Sequence, residues 1–391
     1  MAQTVMDVSL QGQSILFVFH GSELGGAERQ GVLLAKCLKE ELGADVRIWG
    51  LGADKPGRVA QLCEESGIPW QGVPFHWFDR GVERLTELVN LILWLRKEKT
   101  DILLPYTWLP NVVCGLVWKF TGAKLCIWNQ RDEGCYLNTG FWHKTAVRLT
   151  PSFISNSVAG KQILLNLYGI SRDAVEVVHN GIMLPEPIDE RKTWRKRLGI
   201  LDDCFVACMV ANLHIYKDHA TLLKAWRVVL DCSPVGAEPP VLLLAGRFAG
   251  TEAILFNLAD NLGISESVRF LGMVDDVAGL LHSVDLYVHS SKSEGCPNAV
   301  LEAMSAGLPV VATDIPGISD AVGSEGLDFL APSGDPESLS DHILKFIENE
   351  LMRQHVGSLL KKRVENLFNP KIMLTSTATL LVNLFRLRKH S

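Results

Sequence analysis

The sequence predicts an α/β protein built from two tandem doubly wound, Rossmann-like domains. Three observations carry that prediction. Short apolar runs alternate with amphipathic stretches along nearly the whole chain. The runs are apolar at successive positions, as strands covered on both faces are, and helical stretches between strands imply parallel βαβ units. The alternation breaks once near the middle, at Met183-Leu184-Pro185-Glu186-Pro187-Ile188, where two prolines and a polar shift interrupt it. The chain has 391 residues, long for one core, and 47% of them are apolar, enough to fill two.

In chain order, the strand-like runs of the first half are Ser14–His20, Asp45–Leu51, Asp101–Thr107, Lys124–Gln130, Ser152–Ser157 and Val175–Asn180. Those of the second half are Phe205–Leu213, Val241–Gly246, Val268–Gly272, Leu286–Ser290, Pro309–Thr313 and Leu327–Leu330. Residues 1–184 then form the first domain and 185–370 the second. After Leu330 the pattern turns helical, over Asp335–Asn349 and Leu351–Leu367, and Pro370 opens a last helix. That helix, 371–391, has no strand left to pair with and is expected to cross back onto the first domain.

Composition excludes several classes. A net charge of −6 argues against a protein that coats nucleic acid through a basic face. The 9 cysteines are scattered with no Cys-x-x-Cys pair, so reduced thiols in a cytoplasmic protein are expected, with no metal site. Residues 1–13 are too polar for a signal peptide, and no apolar run is long enough to span a bilayer.

In doubly wound sheets ligands bind beyond the carboxyl ends of the strands. Two such domains facing each other are expected to form a cleft, so polar residues at those ends are the site candidates. The most informative stretch is Ser293-Glu294-Gly295-Cys296-Pro297-Asn298-Ala299-Val300-Leu301-Glu302. Pro297 suits the first position of a helix, leaving the amides of Asn298, Ala299 and Val300 without intrahelical partners. A helix tip of that kind is an anion site. Glu294 precedes it, and Glu302 lies four residues beyond Asn298 on the same helix face. A phosphate pocket flanked by two carboxylates suits a sugar nucleotide.

Further candidates follow other strands. Gly25 and Gly26 sit between the first strand and its helix, where backbone can approach a phosphate closely; the ordinary reading is a tight turn. Asn212-Leu213-His214-Ile215-Tyr216-Lys217-Asp218 follows the first strand of the second domain, and Asp218 can cap the next helix. Lys217 then projects at the mouth of the cleft as a point charge suited to a diphosphate, although most lysines before a helix are merely solvated. Gly246 and Arg247 repeat the theme of glycine then cation. Asp275 and Asp276 are better read as a helix cap than as a metal site. In the first domain Arg131 and Asp132 are acceptor-side candidates, for binding or for moving a proton; the alternative is a local ion pair. The stretch Phe141–Arg148 mixes aromatics and cations, as an ordinary amphipathic helix or one lying on a membrane does.

These residues, in this order, resemble the GT-B glycosyltransferases of family 4, the glycosyl transferases group 1. The resemblance covers nearly the whole chain. Gly25-Gly26-Ala27-Glu28 is similar to the family's glycine-rich loop, Val177-Val178-His179-Asn180-Gly181-Ile182 to its strand end before the linker, and Glu294 with Glu302 to its Glu-x7-Glu motif. The resemblance implies roles: Glu302 on the ribose, Glu294 on the donor sugar, the amides of Gly295 to Val300 on the diphosphate, Lys217 neutralising it as it leaves. It also implies no metal or other cofactor, and retention at the anomeric carbon through front-face attack. Two departures stand out. Asn212 occupies the place of a usual arginine, and Gln130-Arg131-Asp132 stands where many members have a histidine; Arg131 or Arg247 can supply the missing charge.

The expected function is therefore transfer of a sugar from a nucleoside-diphosphate sugar to a saccharide or lipid-linked acceptor, in cell-surface polysaccharide or glycolipid synthesis. The expected place is the cytoplasm, with peripheral contact at the inner membrane face. Two alternatives stay open: a sugar-nucleotide epimerase on the same fold, and a non-catalytic nucleotide-sugar-binding subunit. A nicotinamide dehydrogenase ranks last, for want of a Gly-x-Gly-x-x-Gly fingerprint with an acid about 20 residues on.

Overall fold

The computed structural model describes residues 10–77, 81–134, 136–234 and 238–388, the side chains of 385–388 excepted. The basic C-terminal group Arg386–His390 lies outside the described side chains. The chain separates into two compact units, Met1–Gly181 with Pro370–Ser391, and Ile182–Asn369.

Among the described residues the first unit holds seven strands: β1 (Ser14–His20), β2 (Asp45–Leu51), β3 (Trp70–Val73), β4 (Ile102–Pro105), β5 (Leu125–Gln130), β6 (Ser152–Ser155) and β7 (Val175–Val177). Their order is β3-β2-β1-β4-β5-β6-β7, with every pairing parallel. β1 shows why the run is apolar throughout. Ile15, Phe17 and Phe19 point into one core, and Leu16 and Val18 into the other, on the opposite face. Met373, Leu374 and Leu381 of the helix Pro370–Arg388 belong to the first of these cores. The last helix is therefore part of the first unit, although 188 residues of the other unit separate it from Gly181.

The second unit holds six: β8 (Val206–Val210), β9 (Val241–Ala245), β10 (Val268–Gly272), β11 (Leu286–His289), β12 (Val310–Thr313) and β13 (Leu330–Ala331). The order is β10-β9-β8-β11-β12-β13, again all parallel. In each sheet the direction of winding reverses once, between β1 and β4 and between β8 and β11. Those are the positions where such sheets open a crevice at the carboxyl ends.

Two expectations need correction. β3 is not among the expected runs: Trp70-Gln71-Gly72-Val73 is an edge strand between Pro69 and Pro74, and one covered strand neighbour leaves it polar in part. Of Leu327–Leu330, only Leu330 is strand, pairing with Ala312; Leu327–Phe329 is a 3-10 turn. Among the described residues, no helix is long and apolar enough to cross a membrane.

Candidate active site

The second unit gathers its candidates around the reversal between β8 and β11. After β8 the chain runs out through Ala211 and Asn212. Asn212 accepts the backbone N–H of Arg247 on its Oδ1 at 3.1 Å, and Leu213 N–H donates to the Arg247 carbonyl at 2.9 Å. Asn212, Gly246 and Arg247 are thus brought together. Gly246 has to be glycine, because a Cβ there would stand 1.9 Å from the Ala211 carbonyl oxygen. A 3-10 turn, Ile215–Lys217, then delivers Lys217.

Asp218 is in the N-cap position of the helix His219–Cys232, but it does not cap it. Its carboxylate accepts the Thr221 hydroxyl at 2.9 Å, and its backbone is left-handed at φ 42°. A non-glycine residue held there stores about 1 kcal/mol or more of backbone strain.

Hydroxyl groups lace the neighbouring loops together. Ser290 Oγ donates to the Lys217 carbonyl at 3.3 Å, and Ser291 Oγ to that of Tyr216 at 3.0 Å. Thr313 Oγ1, at the end of β12, donates to the Ser291 carbonyl at 2.9 Å. A Cβ on Gly317 would lie 2.0 Å from the Glu294 carbonyl oxygen, so glycine is what lets the helix Pro316–Val322 press against the Glu294 loop. The loop carrying Glu294 is therefore held from three sides.

The outcome is a direct ion pair between Lys217 Nζ and Glu294 Oε1. The same oxygen lies 2.8 Å from His289 Nε2. Burial by itself would raise the Glu294 carboxyl; Lys217 and His289 outweigh it and bring its pKa down to about 2. His289 is lowered by burial, and His219 falls to about 4 through burial and the nearby charges of His289 and Lys217. Tyr287 is pushed up by burial first, and Glu302 and Glu294 add to the shift, which places both carboxylates within electrostatic reach of one ring.

Beyond Glu294, the chain passes the buried Gly295 and the half-buried Cys296 into the helix Asn298–Ser305. Pro297 is not the first helical residue. Its ψ of 104° keeps it outside as N-cap, with its carbonyl accepting from Leu301 N–H at 3.2 Å. The amides of Asn298, Ala299 and Val300 remain the ones that open the helix. Glu302 is half-buried on it. Asp276 accepts the N–H groups of Ile188, Asp189 and Gly279 and the Trp194 indole, the role of a cap.

In the first unit Gly25 is the N-cap of the helix Gly26–Leu42, and its N–H donates to Glu28 Oε2 at 3.2 Å. Arg131 is buried beyond β5. It donates to Tyr106 Oη at 2.9 Å, to Asn180 Oδ1 at 3.2 Å and to Asn129 Oδ1 at 3.3 Å, and it stacks 4.4 Å over the Tyr106 ring. Asp132 is not its ion partner. That carboxylate accepts from Gln130 Nε2 at 2.8 Å and Gly134 N–H at 2.6 Å, and burial raises its pKa. The alternative reading of the two, a local ion pair, does not form.

Sequence reasoning passed over His289. It closes an apolar run and reads there as packing. The usable signal is its position: the last residue of a strand beside the reversal, five residues before Glu294. Among the described residues, no cluster of three or more His, Cys, Asp or Glu is placed to hold a metal.

Two family models match the chain, glycosyl transferases group 1 over residues 190–363 and glycosyltransferase family 4 over 24–184. A D-inositol 3-phosphate glycosyltransferase of Streptomyces scabiei is 28% identical, over 56% of this chain and 51% of its own length. An Escherichia coli UDP-Gal:alpha-D-GlcNAc-diphosphoundecaprenol alpha-1,3-galactosyltransferase is 21% identical, over 74% of this chain and 76% of its own. The chain thus spans about half the length of the first of these curated relatives and about three quarters of the second. Among solved structures, Anabaena HepE in complex with UDP and glucose superposes with a TM-score of 0.80 at 22% identity, covering 95% of this chain and 99% of that one. Sucrose-phosphate synthase from Thermosynechococcus elongatus gives 0.76 at 17% identity, over 96% and 99%.

Proposed function

Since the chain belongs to the family-4 glycosyltransferases of GT-B fold, we propose that it moves a sugar, with retention, from a nucleoside-diphosphate sugar to a saccharide or lipid-linked acceptor. The observation that carries this reading is the Lys217–Glu294 pair at the switch point of the second sheet, beside the helix tip at Asn298. The amides of Gly295, Cys296, Asn298, Ala299 and Val300 receive the diphosphate, Pro297 having no N–H to give, with Asn212, Gly246 and Arg247 completing the donor side. Glu302 takes ribose hydroxyls and Glu294 the sugar. Lys217 neutralises the charge that grows on the leaving diphosphate, where one such donor is worth roughly 3–4 kcal/mol of barrier. Gly25 and Gly26 add phosphate contacts, and Arg131 and Asp132 serve the acceptor. No metal is assigned a step, because the lysine and the helix tip supply the positive charge.

UDP is the first nucleotide to try, since HepE is solved with UDP and glucose and the E. coli relative is named for UDP-Gal. A lipid-linked acceptor is the one to try first, given the diphosphoundecaprenol in that relative's name. On the helix Gly81–Glu98, Val82, Leu85, Val89 and Leu93 form an exposed apolar stripe, with exposed Phe120 held beside its end by Arg96. Such a face suits a bilayer surface at the inner face of the membrane.

The test is turnover of radiolabelled UDP-, GDP-, ADP- and dTDP-sugars on a panel of sugar and polyprenyl-diphosphate acceptors. Acceptor-dependent donor consumption with an unchanged anomeric configuration, insensitive to chelator, is the expected result. Product without acceptor indicates an epimerase. Donor binding with no turnover on any acceptor indicates a non-catalytic subunit, the reading that Asn212 in place of the family's arginine favours.

A further inference from the structure

Glu294 is touched by two groups, and only one of them is free to leave. Lys217 faces two anionic claims, the Glu294 carboxylate and, on the reading above, an incoming diphosphate. His289 has no such choice. It is 1% exposed, at the end of a central strand, and its ring is fixed from both sides. Nε2 stands 2.8 Å from Glu294 Oε1, and Nδ1 stands 3.2 Å from the hydroxyl of Tyr287. Tyr287 is on the same face of β11 two residues earlier, fully buried, with its ring stacked at 17° to the imidazole.

The proton positions follow from the partners. An ionised carboxylate only accepts, so the nitrogen facing Glu294 has to carry a hydrogen. With the ring neutral, as its burial favours, Nδ1 is bare and accepts. The one neighbour able to donate to it is the Tyr287 hydroxyl, which accepts the Val210 backbone N–H at 3.4 Å and divides its single hydrogen between Nδ1 and the Val210 carbonyl at 3.3 Å. The chain of donors therefore runs from the Val210 amide through the phenol and the imidazole to the carboxylate. It ends on the one oxygen that Lys217 also occupies; Oε2 has no partner among the described residues.

We infer that His289, held as its Nε2–H tautomer between Glu294 and Tyr287, is a positioning residue that holds the Glu294 carboxylate in place for the donor sugar once Lys217 has turned to the diphosphate. The inference rests on the reading of Glu294 as the sugar-facing group. Without ligand, Lys217 and His289 share Oε1. With the diphosphate bound, Lys217 is drawn away and His289 alone keeps the carboxylate from turning, so that Oε2 meets a sugar hydroxyl. The consequence separates two halves of one ligand: His289 matters to the sugar and not to the nucleotide.

The experiment measures dissociation constants of the full chain by calorimetry for paired ligands, UDP against UDP-glucose, with GDP and GDP-mannose, ADP and ADP-glucose, and dTDP and dTDP-glucose as further pairs. The readout is the ratio of the two constants within the pair that the wild type binds, together with kcat. In H289L the ratio shifts about tenfold or more against the sugar nucleotide, the range of a lost hydrogen bond to a charged group, while affinity for the nucleoside diphosphate holds within about twofold. H289Q, whose amide N–H reaches the place of Nε2, restores the ratio to within about threefold. Y287F, which frees the tautomer, falls between H289L and wild type.

If E294Q shifts the ratio and H289L does not, the inference is overturned and the reading of Glu294 stands. Equal weakening of both ligands in H289L also overturns it, since that is what a merely structural histidine does. If E294Q leaves the ratio unmoved, the role of Glu294 falls and the inference falls with it. Should H289L fail to melt cooperatively, Y287F decides: an unchanged ratio there removes the tautomer lock.

Discussion

Two ion pairs brace opposite ends of the same two strands, and they are built differently. At the amino ends of β8 and β11, Asp285 accepts Arg195 at 2.9 Å and the Val206 N–H at 2.8 Å on one oxygen, and Arg191 at 2.7 Å on the other. Arg195, 1% exposed, spends its remaining donors on the carbonyls of Ser283, Leu201, Asp202 and Cys204. Every group there is satisfied. At the carboxyl ends, Lys217 and Glu294 meet through a single oxygen, beside a backbone strained at Asp218. A saturated pair has nothing left to offer a ligand, whereas an unsaturated one is poised to exchange partners. On the proposed reading, the difference separates a structural end of the sheet from the end that carries the candidate site.

The sharpest way to break the comparison is to cut each pair. Arg195→Met takes one donor from the half-buried Asp285 carboxylate and leaves four carbonyls short of donors. It is expected to lower unfolding free energy by roughly 3–5 kcal/mol, read from the urea midpoint, while the folded fraction keeps its turnover. Lys217→Ala and Glu294→Gln should instead strike turnover, which falls about 100- to 1,000-fold per folded molecule, beyond whatever stability the broken pair costs. Loss of turnover per folded molecule in Arg195→Met, or normal turnover in Lys217→Ala, would erase the division between the two ends.

Protons offer a gentler probe of the site end. His219, with its ring buried, has its pKa lowered from 6.5 to about 4 by burial first, then by the charges of His289 and Lys217. The folded state keeps the ring neutral, so below 6.5 the unfolded chain binds the extra proton. Stability is full above pH 6.5 and declines towards pH 4, by roughly 3 kcal/mol over that range. Glu294, held down to about 2, extends the loss from its ordinary 4.5 towards that value as its carboxylate is protonated. His219→Leu should flatten the upper part of this curve and leave the lower part, as measured by urea unfolding across pH.

The same contrast explains what could be read without coordinates. β1 and β2 lie where their runs do, residue for residue, because strands covered on both faces must be apolar throughout; the edge strand β10 does so too, through Val268, Phe270 and Leu271 packing on the core. The edge strand β3 carries no such constraint and was invisible. At the site, Lys217 and Glu294 were legible because each stands at the end of an apolar run with a helix following. Their meeting depends on β8 and β11 being neighbours, which the order of runs does not state. His289 was hidden for the opposite reason: a ring that completes an apolar run looks like filling. The one-residue offset at Pro297 reflects a ring whose φ suits N-cap and first turn alike.

The smallest expected effect refines the comparison at the level of one aspartate against another. Asp285 holds three donors and sits in ordinary backbone; replacing it only loses contacts. Asp218 holds the Thr221 hydroxyl and sits at φ 42°. In Asp218→Gly the lost hydrogen bond, about 1 kcal/mol, is offset by relief of about the same strain, so the urea midpoint should stay within about 0.5 kcal/mol of wild type. The strain is then what aims Lys217 rather than what weakens the fold. A loosened turn lets the lysine sample more orientations, and KM for the donor should rise severalfold with kcat less affected. If Asp218→Gly instead costs as much stability as Asp285→Ala, the carboxyl end is braced as firmly as the amino end, and the strained turn is scaffold.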